Sequence, residues 1–117
     1  MWSLPEYLER KRDKVEQLRE RLRAGAGPTP LRAVARVAGS SGVRPVRIRD
    51  FTLITDAGAP LGGLELGPTA PELLLGALAS CLAHSFLVVA ADQGVDFEEL
   101  SIEVTGSIDY RGTLSVS

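Results

Sequence analysis

The chain has 117 residues, enough for one domain and too short to expect two. Its net charge of -2 removes any global electrostatic argument for nucleic acid, and its single cysteine excludes an intrachain disulfide and every multi-cysteine metal centre. A lone thiol suits a reducing compartment, and the N-terminus "MWSLPEYLERKRDKVEQ" has no apolar signal core, so the expected location is cytoplasmic. The charges are unevenly placed. Residues 1–49 hold 12 of the 13 Lys and Arg for a net of +7, and residues 50–117 carry a net of -9. Two such halves attract one another, within a chain or between two chains.

Ser3 and Glu6 have capping-box spacing, with Pro5 in the first turn, which predicts a helix from there to about Arg23. Leu8, Val15 and Leu22 form one apolar row, and Leu4, Lys11 and Leu18 a second that Lys11 breaks. That narrow stripe predicts a helix laid across a partner surface. Residues 1–24 therefore read as an amphipathic helix, 25–30 ("GAGPTP") as a linker, and 31–117 as the main domain. "LRAVARVA" alternates as a half-exposed strand, and "GSSG" is a turn. "VRPVRIRD" alternates again, and Pro45, which lacks a ladder donor, points to an edge strand or the start of one. In "FTLIT" the apolar positions move from even to odd numbers, which requires a bulge or a strand break near Arg49–Asp50. "DAGAPLGGLELGPTAP" is a loop of the size that commonly carries function.

Thr69 and Glu72 repeat the capping-box spacing and open a long helix that Gly94 closes. Its stretch Leu73–Ala91 holds no Asp, Glu, Lys or Arg and is long enough to span a bilayer. Glu72 and Asp92 bound it without basic or aromatic anchors, which favours the central helix of a soluble core over a membrane span. "SIEVTGSIDYRGTLSVS" alternates at Ile102, Val104 and Ile108 and predicts a strand or hairpin. The expected class is α+β, an antiparallel sheet packed on a long central helix.

That helix carries both the only cysteine, Cys81, and the only histidine, His84. By residue type, Cys81 reads as a small buried hydrophobe and His84 as a histidine satisfied by a backbone carbonyl. A reactive reading needs a positive charge beside the thiol, because an unperturbed thiol is only a few per cent ionised at neutral pH. The helix dipole is too far from Cys81 to supply that charge. Arg36, Arg47 and Arg49 are equivalent candidates for it, with His84, one turn on, as a weaker one.

The run "LGG…GPTAPELLLGALASCLA" followed by "IEVTGSIDYRGTLSV" resembles the OsmC/Ohr family of osmotically induced and organic-hydroperoxide-resistance proteins, over about residues 31–115. The resemblance implies an α+β intertwined homodimer and thiol-dependent reduction of organic hydroperoxides in an oxidative stress response. Cys81 falls on the peroxidatic position, and no cofactor or metal is implied. It also implies partial coverage: the family's C-terminal part and its second, resolving cysteine are missing from this sequence. An external thiol or dithiol would then have to act as reductant. Pro71 stands where peroxidase members carry a glutamate, and Glu72 lies on the far side of the helix from Cys81. The alternative is a non-catalytic OsmC-like dimer in which Cys81 packs or lines a small apolar ligand pocket. An interaction module that uses the basic helix on nucleic acid lacks aromatic residues among the arginines and any groove-reading motif.

Overall fold

The computed structural model describes residues 3–117, so the first two residues of the expected N-terminal helix lie outside the described residues. The chain is α+β: helix α1 (Leu4–Arg23), strands β1 (Val34–Ala35), β2 (Arg44–Ile48) and β3 (Phe51–Thr55), and helix α2 (Ala70–Gln93). A short 3-10 turn, Ala59–Leu61, interrupts the loop before α2. Contacts divide the chain into two compact units. The chain up to Pro30 joins Leu78–Glu103 in one, and Leu31–Ala77 joins Val104–Ser117 in the other.

In the first unit, Ser3 caps α1 by accepting the Glu6 backbone N–H on its hydroxyl at 3.3 Å. Glu6 in the first turn and Arg21 and Arg23 in the last complement the helix dipole. Leu8 of the expected stripe is fully buried against Ala90 and Ala91 of α2, with Leu4, Tyr7, Leu87 and Phe97 around it. The two alanines let α1 approach closely, and burying one leucine this way contributes about 1.5–3 kcal/mol. Arg19 bridges the helices by donating to Asp92 at 2.9 Å. The hydrogen bond to Asp92, then that to Glu16, raises the Arg19 guanidinium further above its ordinary value. Farther along the stripe, Leu18 and Leu22 stay exposed. Gly94 ends α2 in the left-handed region at φ +68°, where Val95 N–H reaches Ala90 C=O at 2.8 Å.

The second unit holds an antiparallel sheet in the order β1-β2-β3. Arg49 and Asp50 form a tight turn with Arg49 at φ +54°, and Ile48 faces Phe51 across it. The phase change is therefore a break between two strands. Of the two positions expected for Pro45, the structure has the start of a strand and not an edge: it is the second residue of β2, the central strand. Its carbonyl accepts the Arg36 N–H on the β1 side at 3.3 Å, so its missing N–H falls on the side where the β1 ladder has already ended at Val46. The expected C-terminal strand does not form: Ser101–Asp109 carries no secondary structure, and Tyr110–Ser115 is turn. Its alternation is genuine, but a strand exists only as part of a ladder, and within this chain the segment pairs with none of the three strands.

The expected capping box at the start of α2 is reciprocal. Glu72 N–H donates to the Thr69 hydroxyl at 3.3 Å, while the Glu72 carboxylate accepts the Thr69 N–H and hydroxyl, each at 3.0 Å. Those two bonds, the backbone one first, hold the Glu72 carboxyl below the usual carboxylate range. We expect Thr69→Ala to cost about 1 kcal/mol of stability in urea unfolding. Thr69→Ser should restore most of it, and an unchanged midpoint in both variants would remove the cap from the account.

α2 was expected to be covered, yet in the single chain it is mostly bare. Leu74 is 71% exposed and Phe86 57%, and only Ala90 and Ala91 are buried. By length and composition alone it could cross a membrane, with a mean hydropathy of 2.1 over its most apolar window. The sheet is similarly open at Ile48, Phe51 and Leu53.

Candidate functional site

Three residues past Leu78, α2 presents Cys81 to solvent as a free thiol. This differs from the small buried hydrophobe that its residue type suggests. The helix around it is lean: Gly76, Ala77, Ala79, Ser80 and Ala83 leave little side-chain bulk beside the sulfur. The Ser85 hydroxyl turns back to the Cys81 carbonyl at 3.1 Å, as serine commonly does inside helices, and so is committed to backbone.

His84 lies one turn on, at the i+3 spacing that puts Cβ atoms about 5–6 Å apart on one face. Its partner is a side chain and not the backbone carbonyl expected of it. Lys11 of α1 approaches His84 Nε2 with its Nζ at 2.7 Å. An ammonium only donates, so Nε2 is the acceptor in this contact. Lys11 also donates to the Tyr7 hydroxyl at 3.3 Å and lies 5.6 Å from the centre of the Tyr7 ring. The lysine that breaks the apolar stripe of α1 is thus the residue that meets the histidine of α2.

The three candidate arginines belong to the other unit, and all are exposed. Arg36 follows β1. Arg47 is in β2, opposite Val34 and Thr52. Arg49 occupies the β2–β3 turn, its guanidinium 5.0 Å from the centre of the Phe51 ring. Glu72 is engaged in the cap of α2. A groove of about 810 Å³ runs past Leu4, Ala83, Leu87 and Leu100 with Glu98, Glu99 and Ser101 on its rim, but Ala83 and Leu87 sit on the side of α2 turned away from Cys81.

The loop before α2 is organised by a residue that the sequence did not single out. Asp56 is fully buried at the end of β3. Its Oδ1 accepts the Ala57 N–H at 2.8 Å, and its Oδ2 accepts the N–H groups of Leu64 at 3.0 Å and Leu66 at 3.3 Å. Gly63 packs so closely on the Ala57 carbonyl that a Cβ there would overlap it. The only local signal was an aspartate opening a glycine-rich run, since two of the three donors lie eight and ten residues away.

Residues 62–116 match the family model described as OsmC-like protein. This stretch, just under half of the chain, is similar to that family. A search of curated proteins finds no match to the chain. The OsmC-like segment begins within the Asp56-held loop, contains the whole of α2 with Cys81 and His84, and runs through the irregular C-terminal stretch. Helix α1, which carries Lys11, and all three strands precede it.

Proposed function

We propose that this protein reduces organic hydroperoxides through Cys81, as a cytoplasmic homodimer dependent on an external thiol. One observation carries the reading: the chain's sole cysteine is an exposed free thiol on the central helix of an OsmC-like segment. In the reaction the Cys81 thiolate attacks the terminal peroxide oxygen, and the O–O bond breaks. The alkoxide leaves and takes a proton to become the alcohol. The sulfur, oxidised by two electrons, keeps the oxygen as sulfenic acid. With no second cysteine in the chain, an external thiol condenses with the sulfenic acid and releases water. A second thiol equivalent then reduces the mixed disulfide and regenerates Cys81. One of Arg36, Arg47 and Arg49 stabilises the thiolate in the assembled protein. The direct test follows cumene hydroperoxide consumption with dithiothreitol as reductant. Turnover in the wild type, reduced in one of the three single Arg→Ala variants, supports the reading. No consumption above that by dithiothreitol alone would leave an OsmC-like protein without peroxidase activity.

The bare apolar faces of α2 and of the sheet support the dimer, since monomers seldom leave so much contiguous apolar surface in water. The basic N-terminal and acidic C-terminal halves add attraction between copies. Covering α2 with a second chain accounts for its hydropathy without a membrane, and α1 already rests against its C-terminal end. Sedimentation at micromolar concentration is expected to give twice the chain mass of 12.5 kDa. A well-folded monomer in detergent-free buffer would overturn the dimer.

A further inference from the structure

We propose that Lys11 contributes a positive charge to the field at Cys81 in addition to that of the arginine, with His84 and Tyr7 as the positioning residues that hold its ammonium one helical turn from the thiol. The inference rests on the reading of Cys81 as the reacting thiol but concerns its electrostatic surroundings, which are measurable without peroxide. Its starting point is the ammonium. Lys11 is half-buried, and its two hydrogen-bond partners, the Tyr7 hydroxyl and His84 Nε2, are not carboxylates. No carboxylate lies within ion-pair distance of it among the described residues, whereas Arg19 has Glu16 and Asp92. The acids nearest in sequence, Glu9 and Asp13, are two positions to either side of Lys11, a spacing at which helix side chains do not face each other. The positive charge is therefore not neutralised locally. It is bound to a residue one helical turn from the thiol and comes from a helix in the same compact unit as Cys81.

An uncompensated cation near a cysteine attracts an anionic reagent more than a neutral one. Two alkylating agents of similar size separate this effect from accessibility: iodoacetate carries a negative charge and iodoacetamide none. The ratio of their rates at Cys81, compared with the ratio at the cysteine of an unstructured peptide, reads the local field. We expect the protein's ratio to exceed the peptide's by about two- to fivefold at low salt, and to converge on it near 1 M salt as screening shortens to about 3 Å. Lys11→Gln should bring the ratio down by about half or more toward the peptide value, Lys11→Arg should keep it high, and His84→Leu should lower it less than Lys11→Gln by freeing the ammonium. Both rates are taken on the same sample, so a partly unfolded variant shifts them together, and circular dichroism identifies it. A wild-type ratio equal to the peptide's overturns the proposal. So does a ratio unchanged in Lys11→Gln, or one that Lys11→Arg fails to keep. If the ratio behaves as expected while Cys81 stays inert to hydroperoxide, the peroxidase reading alone fails.

Discussion

Replacing Asp56 with alanine is expected to release the loop between β3 and α2 and to lower the melting temperature by roughly 5–15 °C. The carboxylate is fully buried and accepts three backbone N–H groups, from Ala57, Leu64 and Leu66. Without it those donors lose their only side-chain acceptor, and water replaces it only if the loop opens. Burial on its own pushes the Asp56 carboxyl up. The bonds from Ala57, Leu64 and Leu66, aided by the Arg44 charge, outweigh burial and hold it below the usual carboxylate range. The sign of the pH dependence follows. The unfolded chain binds this proton at a higher pH than the folded one, so the contribution of Asp56 is complete above the ordinary value of about 4 and is lost as pH falls through the lower folded value. Urea midpoints of the wild type and Asp56→Asn should therefore differ most at pH 6 and converge toward pH 3. A gap that is the same at both would mean that the carboxylate's charge does not hold the loop.

The second large effect is at the thiol. Cys81→Ser is expected to reduce hydroperoxide consumption by at least about a hundredfold, because a serine hydroxyl is essentially un-ionised at neutral pH and cannot be cycled by thiols. Cys81 is exposed and its sulfur holds no structural bond, so the melting temperature should stay within about 2 °C of the wild type. A variant that keeps its activity would move the chemistry off Cys81. A variant that loses activity together with a large part of its stability would make Cys81 a packing residue, as its residue type first suggested.

The features that the sequence made legible are those whose cause is local. Ser3 with Glu6 and Thr69 with Glu72 lie three residues apart, and both caps form. The shift of apolar phase after Ile48 located the Arg49–Asp50 turn, because side chains alternate strictly along a strand. What the sequence hid depends on distant partners. Pro45 reads equally as an edge residue or a strand start until the length of the β1 ladder is known. The alternation from Ile102 to Ile108 reads as a strand, but alternation states only what a segment would do if paired. Lys11 read as a flaw in an apolar stripe, and its partner His84 is 73 residues away. The exposure of Cys81 could not be read from a run as apolar as "ELLLGALASCLAHSFLVV", which looks buried on every side.

The central claim is that Cys81 is a peroxide-reactive thiol, and its oxidation state after one equivalent of oxidant tests that most directly. The reduced protein is treated with stoichiometric cumene hydroperoxide in the presence of dimedone, which traps sulfenic acids, and its intact and peptide masses are measured. One dimedone adduct per chain is expected, on the peptide that contains Cys81, complete at one equivalent and absent from Cys81→Ser. A chain that keeps its unmodified mass, with its thiol still titratable after excess hydroperoxide, would contradict it.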